Sequence, residues 1–88
     1  MKLSEIKNEL RLGEYAWPGG YPKYFIASDG ESLSYDSVRS NWKNIVWSHL
    51  YGVRDDWHIQ AVDINWEDDN LYCAHSGNKI ESAYSTYG

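Results

Sequence analysis

The sequence predicts a small α+β domain, in which an antiparallel sheet of three to five strands packs on one main helix plus a short N-terminal helix. Its 88 residues leave room for one domain, residues 1–88. Five Trp, eight Tyr and one Phe supply rings that each bury about 150–250 Å². Helical periodicity in two segments and alternation in others complete the pattern. A multidomain enzyme, a collagen-like repeat and a coiled coil are excluded.

Two segments have the apolar periodicity of helices. Leu3, Ile6 and Leu10 predict the short N-terminal helix, with Ser4 as N-cap and Gly13 as its end. The main helix is predicted from about Asp36 to Leu50. Its apolar stripe comprises Val38, Trp42, Ile45, Val46 and His49 or Leu50, with Gly52 just after its end.

A hairpin and a long strand are predicted in the remainder of the chain. Strands over residues 23–28 and 31–35 flank Asp29-Gly30, which predicts a type I′ turn. Residues 57–66 predict a long strand. Because its apolar positions change face near Ala61, we expect either a bulge or a change of the covered face there.

The segments at the two ends of the sheet region carry weaker signals. Two prolines and two glycines within residues 15–22 predict a loop, whose aromatic residues either fold onto the core or form a contact surface. Short strands are predicted over residues 71–73 and 80–84, separated by a turn at residues 76–78.

The single cysteine and the absence of long apolar runs indicate a compartment. Cys73 has no internal disulfide partner, which agrees with a reducing cytoplasm. No window approaches the roughly 18 apolar residues of a spanning helix, and the first residues do not resemble a signal peptide. We therefore expect a soluble cytoplasmic protein that has no membrane partner.

The acidic residues are concentrated in one segment. Residues 55–78, termed the acidic stretch, contain six Asp and Glu residues and no Lys or Arg, in a chain of net charge −5. Direct nucleic-acid binding is disfavoured, because duplexes are held largely by Lys and Arg that neutralise phosphates. The stretch either meets a basic partner surface or serves as a solvated face that keeps the protein soluble.

Residues capable of catalysis or metal binding do not form a known constellation. Cys73 has three possible bases, His49, His58 and His75, but no nucleophile signature surrounds it. The carboxylates of the acidic stretch lack the order of an EF-hand, and no phosphate-cradling glycine loop is present. The prediction is a non-enzymatic protein with no catalytic residue, cofactor or metal.

The last third of the chain contains a specific motif. Residues 71–77 read L-Y-C-A-H-S-G and residues 80–84 read I-E-S-A-Y. This tail resembles the segment L-Y-C-x-H-C-G-x-x-I-E-S-A-Y of small uncharacterised proteins of tailed phages and prophages. An earlier segment of those proteins, L-C-x-x-C-x-R, is similar to residues 33–39 here.

The resemblance implies a zinc-ribbon-like ancestor. In the phage proteins, two C-x-x-C pairs look like a four-thiolate zinc site. Ser34, Ser37 and Ser76 occupy three of the four positions in this chain, and Cys73 occupies the fourth. Because a serine hydroxyl is a poor zinc ligand, we expect the site to be lost, although His75 lies close to Cys73 in sequence.

The expected function is protein binding by a phage or prophage accessory protein in the bacterial host cytoplasm. Its partner would be a host or phage protein, met through acidic residues flanked by aromatic ones. An alternative is an inhibitor that imitates DNA to occupy a host nucleic-acid or defence enzyme; a third is a small enzyme or metal protein. The candidate partner-binding residues are Asp55, Asp56, Trp57, Trp66, Glu67, Asp68, Asp69 and Tyr72.

Overall fold

The structure is a computed structural model that describes residues 1–16, 19–53, 57–68 and 70–83. All of its strand pairs are antiparallel, so the predicted α+β class is confirmed, with four strands. No helix among these residues has the length and apolar character of a membrane span. In chain order the elements are α1 (Leu3–Leu12), β1 (Tyr15–Ala16), β2 (Tyr21–Ala27), β3 (Ser32–Leu33), α2 (Tyr35–Ser40), α3 (Trp42–Leu50) and β4 (Ile59–Ile64).

Strand β2 is the centre of the sheet. Its Phe25 pairs with Leu33 of β3 on one edge and with Val62 of β4 on the other. Near the start of β2, Pro22 pairs with Tyr15 of β1. Strands β1 and β3 therefore follow one another along one edge of β2, and β4 covers the opposite edge.

The predicted bulge is present in β4. Ile26 pairs with Ala61, whereas the next residue, Ala27, pairs with Ile59. Gln60 is therefore the extra residue opposite a continuous β2, which changes the face that the following residues present. The strand itself is shorter than the predicted residues 57–66.

The hairpin turn lies where it was predicted but has a different type. Gly30 has φ +88°, whereas no described residue other than glycine has a positive φ, so Asp29 cannot complete a type I′ turn. The Gly30 amide donates to the Ala27 carbonyl over 2.9 Å. This geometry is typical of a three-residue loop that ends in a left-handed glycine.

The predicted main helix is two helices, α2 and α3, separated at Asn41. The backbone of Asn41 leaves the helical region, with φ −116° and ψ 29°. Its side-chain amide and its backbone amide both donate to the Ser37 carbonyl, over 2.9 and 3.1 Å. A side chain that bonds the neighbouring backbone competes with helix propagation, which explains the break.

The start of α1 differs from the prediction, whereas the ends of α1 and α3 agree with it. Lys2, rather than Ser4, is the N-cap of α1, and its backbone amide donates to the Glu5 carboxylate over 2.8 Å. Gly13 ends α1 as predicted, with φ +94°. Helix α3 ends at Leu50 with Tyr51 as its C-cap, and Gly52 follows just after the end, as predicted, with φ +66°.

Two predicted strand segments are irregular, and one predicted loop contains a strand. Residues 15–16 form β1, while Trp17 and Pro18 lie outside the described residues. Within residues 71–83, the described backbone has only an isolated bridge between Tyr72 and Lys79; Tyr84 is not among the described residues. Strand β3 stops at Leu33 because the next residue caps α2.

The core combines residues from all three helices and from the sheet. The Phe25 and Tyr35 rings stack with their centroids 4.3 Å apart. Of the two alternatives for the end of the predicted stripe, Leu50 is wrong, because it is 68% exposed, whereas His49 is half-buried. Ser48, which the stripe did not include, is buried and donates to the Val53 carbonyl. The buried hydrophobic residues are Ile6, Phe25, Ala27, Leu33, Tyr35, Val38, Ile45, Ile59, Cys73 and Ile80.

A polar cluster fastens α1 to this core. The Glu9 carboxylate accepts hydrogen bonds from the Lys23 ammonium over 2.7 Å and from the Tyr35 hydroxyl over 2.8 Å. Burial raises the pKa of Glu9, but these bonds from Lys23 and Tyr35 outweigh it and leave the pKa lowered. Burial and the bond to Glu9 raise the pKa of Tyr35, so its hydroxyl stays a donor.

Replacing a core side chain should be far more costly than replacing an exposed one of similar size. We expect Ile59→Ala to lower the free energy of unfolding by about 2–5 kcal/mol, because Ile59 is fully buried beside the bulge. Leu50→Ala is the matched control and should change it by less than about 1 kcal/mol. Urea denaturation followed by circular dichroism measures both, and equal losses would contradict the assigned core.

Candidate functional site

The turn after β4 begins at a buried asparagine, Asn65, and exposes one Trp and two carboxylates. Asn65 is 3% exposed, whereas Trp66, Glu67 and Asp68 are all exposed. The Asn65 side chain donates to the Asp68 carbonyl over 3.0 Å and accepts from the Asp68 amide over 3.1 Å. These paired bonds close the turn and direct its side chains outward.

The same asparagine holds the irregular C-terminal part of the chain. Its side-chain amide also donates to the carbonyls of Ile80, over 3.3 Å, and Glu81, over 3.0 Å. Its backbone carbonyl accepts from the Ala83 amide over 2.8 Å. The Ile80 amide in turn donates to the Leu71 carbonyl, so the residue after Leu71, Tyr72, belongs to the same hydrogen-bonded unit.

Trp66, Glu67, Asp68 and Tyr72 together are termed the acidic–aromatic surface. Trp66 is 45% exposed and Tyr72 is 52% exposed. The Trp66 ring contacts the half-buried Tyr21 ring, with centroids 4.7 Å apart, so the core side of the indole is supported. The aromatic residues of the predicted loop at residues 15–22 therefore differ in exposure. Tyr15 is 41% exposed, whereas Tyr21 is half-buried and supports Trp66.

Of the four remaining predicted partner-binding residues, the structure describes only Trp57. Trp57 is half-buried, packs on the core and contacts the His75 ring with centroids 5.0 Å apart. Asp55, Asp56 and Asp69 lie outside the described residues.

The fold brings together the two serine and cysteine pairs singled out by the resemblance. The Ser34 amide donates to the Cys73 sulfur over 3.3 Å, and the Ser37 hydroxyl lies 3.2 Å from it. Ser34 also caps α2 by accepting from the Ser37 amide over 3.2 Å. Cys73 is 1% exposed, so the sulfur joins the start of α2 to the 73–76 turn inside the core.

Hydrogen bonding favours the thiolate form of Cys73. Burial raises the pKa of the thiol, but bonds from the Ser34 amide, the Ser37 hydroxyl and Ser76 outweigh it and lower the pKa to about 6. A buried thiolate of this kind is a strong acceptor.

The three histidines considered as bases for Cys73 have other contacts. The His49 and His58 rings stack at 4.3 Å, and the His49 Nε2 accepts from the Ile59 amide over 3.0 Å. His75 contacts Trp57. This arrangement explains how His49 ties the end of α3 to the start of β4.

Two carboxylates of the acidic stretch accept hydrogen bonds from nearby backbone amides. Asp63 accepts from the Ile64 amide over 2.8 Å, and Asp68 accepts from the Asn70 amide over 2.9 Å. Among residues that the structure describes, no group of three or more His, Cys, Asp or Glu side chains is placed to hold a metal ion.

Sequence reasoning missed the role of Asn65. An Asx residue that precedes a turn is a signal for this role, but the same residue type is common in turns that are fully solvated. Its burial depends on the return of residues 80–83 over it, which no local pattern indicates.

Comparison of the chain with models of known protein families, with curated proteins and with solved structures finds no match in any of the three.

Removing the Asn65 side chain should destabilise the protein and loosen the acidic–aromatic surface. We expect Asn65→Ala to cost about 2–3 kcal/mol, because it leaves buried backbone groups without partners. Asn44→Ala, at an exposed position of α3, is the matched control and should cost less than about 0.5 kcal/mol. Urea denaturation gives both values, and a small loss for Asn65→Ala would show that the turn does not depend on it.

The stability of the folded protein should rise between about pH 6 and pH 9. The Cys73 pKa is about 6 when folded, against an ordinary value of 9.0, so in this window the unfolded chain binds more protons. The stabilisation is complete above the unfolded pKa and is lost as the pH falls through 6. Urea denaturation of wild type and Cys73→Ser across this window should show a difference that grows with pH.

Thiolate absorbance in the ultraviolet provides a direct check on the same group. Ser37→Ala removes one donor to the sulfur and should move the absorbance transition to higher pH. A transition near the ordinary thiol value in the wild type, or a stability difference that does not vary with pH, would contradict the thiolate assignment.

Proposed function

We propose that this protein is a non-enzymatic accessory protein of a phage or prophage, which acts in the cytoplasm of the bacterial host by binding a host or phage protein. The acidic–aromatic surface would make the contact. The observation that carries the proposal is that the Trp66 ring, 45% exposed, and the exposed Glu67 and Asp68 carboxylates lie on one turn that buried Asn65 closes.

The energetics of association favour such a surface. Trp and Tyr are enriched among the few interface residues whose truncation costs about 2 kcal/mol or more. Trp66 is already supported by Tyr21, and its backbone is held by Asn65. Little conformational freedom is therefore left to lose on binding, which reduces the cost of association.

The carboxylates add selectivity for a basic partner. Glu67 and Asp68 are exposed next to Trp66, so their charges attract a positive surface and increase the association rate. The net charge of −5 acts in the same direction. Pairs at an exposed rim contribute little affinity, and we assign most of the affinity to the rings.

The relation to phage proteins is supported by the arrangement around Cys73. Ser34 and Ser37 match one cysteine pair of those proteins; the Ser34 backbone amide lies 3.3 Å, and the Ser37 hydroxyl 3.2 Å, from the sulfur of Cys73, which matches the other pair. Two turns that are distant in sequence thus meet as the four-ligand pattern requires.

Loss of the Trp66 ring should abolish partner capture. The tagged protein is used for affinity purification from host lysate, followed by mass spectrometry, in wild type, Trp66→Ala and Glu67→Lys forms. We expect one stoichiometric protein with the wild type, at least about a tenfold lower yield with Trp66→Ala, and a smaller loss with Glu67→Lys. Trp47→Ala is the matched control, because Trp47 is 51% exposed on α3, and it should leave capture unchanged.

The identity and behaviour of the captured protein distinguish the alternatives. Full capture by Trp66→Ala together with loss in Trp47→Ala would overturn the assigned surface. A captured nucleic-acid enzyme that duplex DNA displaces would favour the inhibitor that imitates DNA.

A further inference from the structure

A cavity of about 380 Å³ lies beside β3, outside the acidic–aromatic surface. Its walls are Glu31, Leu33, Trp57, Ala74 and His75. The volume is within the range of small-ligand sites. One carboxylate, one indole and one imidazole line it, together with two aliphatic side chains.

Glu31, which supplies the carboxylate, belongs to a hydrogen-bonded turn. The Glu31 amide donates to the Asp29 side chain over 3.0 Å, and the Glu31 carbonyl accepts from the Ala27 amide over 2.9 Å. Within the described ranges, no Lys or Arg forms an ion pair with Glu31. The cavity therefore has a negative charge on a fixed backbone, and no Lys or Arg of the described residues is paired with that charge.

The aromatic walls are positioned by the core and by each other. Trp57 packs on the core, and its ring meets the His75 ring at 5.0 Å with an angle of 62° between the planes. Leu33 is 2% exposed and belongs to the core. The Ala74 amide donates to the Ser32 carbonyl over 2.8 Å, which holds the His75 turn against β3.

We propose that this cavity binds an arginine side chain of the protein partner, with the guanidinium between the Glu31 carboxylate and the Trp57 indole. The inference deepens the proposed function, on which it rests, by naming the chemistry of the partner. Indole is the strongest aromatic partner for a cation, and a carboxylate matches the planar fork of guanidinium. The ammonium of lysine matches this pair of walls less well, because it is compact and more strongly hydrated.

The charge of the chain supports a cationic rather than an anionic or neutral guest. The protein carries −5, and the cavity itself carries the Glu31 carboxylate. An anionic guest would meet this charge directly, and a neutral guest would leave it without a partner. Glu31 is exposed in the free protein, so its carboxylate stays hydrated until the guest arrives. The fold therefore does not bear the cost of burying an unpaired charge.

The test uses the tripeptide acetyl-Gly-Arg-Gly-amide, titrated into the whole protein and followed by two-dimensional amide NMR. The Trp57 indole signal is assigned by its loss in Trp57→Phe. We expect saturable shifts of that signal and of the Leu33 and Ala74 amides, with millimolar affinity that falls as salt is added. The citrulline tripeptide, which has the same shape without the charge, should bind about tenfold more weakly, and the lysine tripeptide should also bind more weakly.

Matched variants locate the contact. Glu31→Gln should weaken arginine binding about fivefold, whereas Glu67→Gln, which removes the same charge from the acidic–aromatic surface, should leave it unchanged. Absence of saturable shifts, equal binding of the citrulline peptide or equal effects of the two variants would overturn the inference.

Failure of this inference is distinguishable from failure of the proposed function. The titration requires no partner protein, and the capture experiment depends on Trp66 rather than Glu31. Capture that requires Trp66, with no tripeptide binding, would remove the arginine site alone. Tripeptide binding at Glu31, with capture independent of Trp66, would keep this site and remove the assigned surface.

Discussion

The buried Tyr35 side chain makes the contacts on which the rest of the structure depends. Its face stacks on Phe25 of the central strand at 4.3 Å, and its hydroxyl donates to Glu9 of α1 over 2.8 Å. One buried side chain at the start of α2 therefore joins the sheet and two helices. The Lys23 ammonium, which pairs with Glu9, lies 5.7 Å from the centre of the same ring. A chain of this size has a thin core, so a residue that connects three elements carries a large share of its cohesion.

The C-terminal part depends on two buried polar groups rather than on regular strands. Asn65 supplies the hydrogen bonds that close the turn after β4 and hold residues 80–83. The Cys73 sulfur accepts bonds that connect the 73–76 turn to the start of α2. Because low local polarity strengthens such bonds and penalises their loss, a segment with little secondary structure can hold a defined shape. The acidic–aromatic surface and the cavity beside Trp57 both lie on this segment or against it.

Local patterns predicted the elements correctly where the spacing or type of neighbouring residues determines the backbone conformation. Helical spacing placed Ile6, Val38 and Ile45 in the core, and Asp29-Gly30 located the hairpin turn. The patterns failed where side chains compete with the backbone or where distant segments decide. Asn41 divides the predicted helix through its bond to Ser37, and residues 71–83 satisfy their backbone through turns and buried side chains instead of a ladder.

The amino-acid sequence by itself determined the α+β class, the helix periodicities, the bulge near Ala61 and the charge of the acidic stretch, because these follow from local spacing and composition. It also placed Trp66, Glu67, Asp68 and Tyr72 among the candidate contact residues. Only the tertiary structure decided that Trp57 turns inward toward the core while Trp66 stays half exposed. The same holds for the meeting of Glu31 with Trp57 in one cavity. Exposure and juxtaposition depend on which distant segments pack together, and the spacing of neighbouring residues carries no information about that.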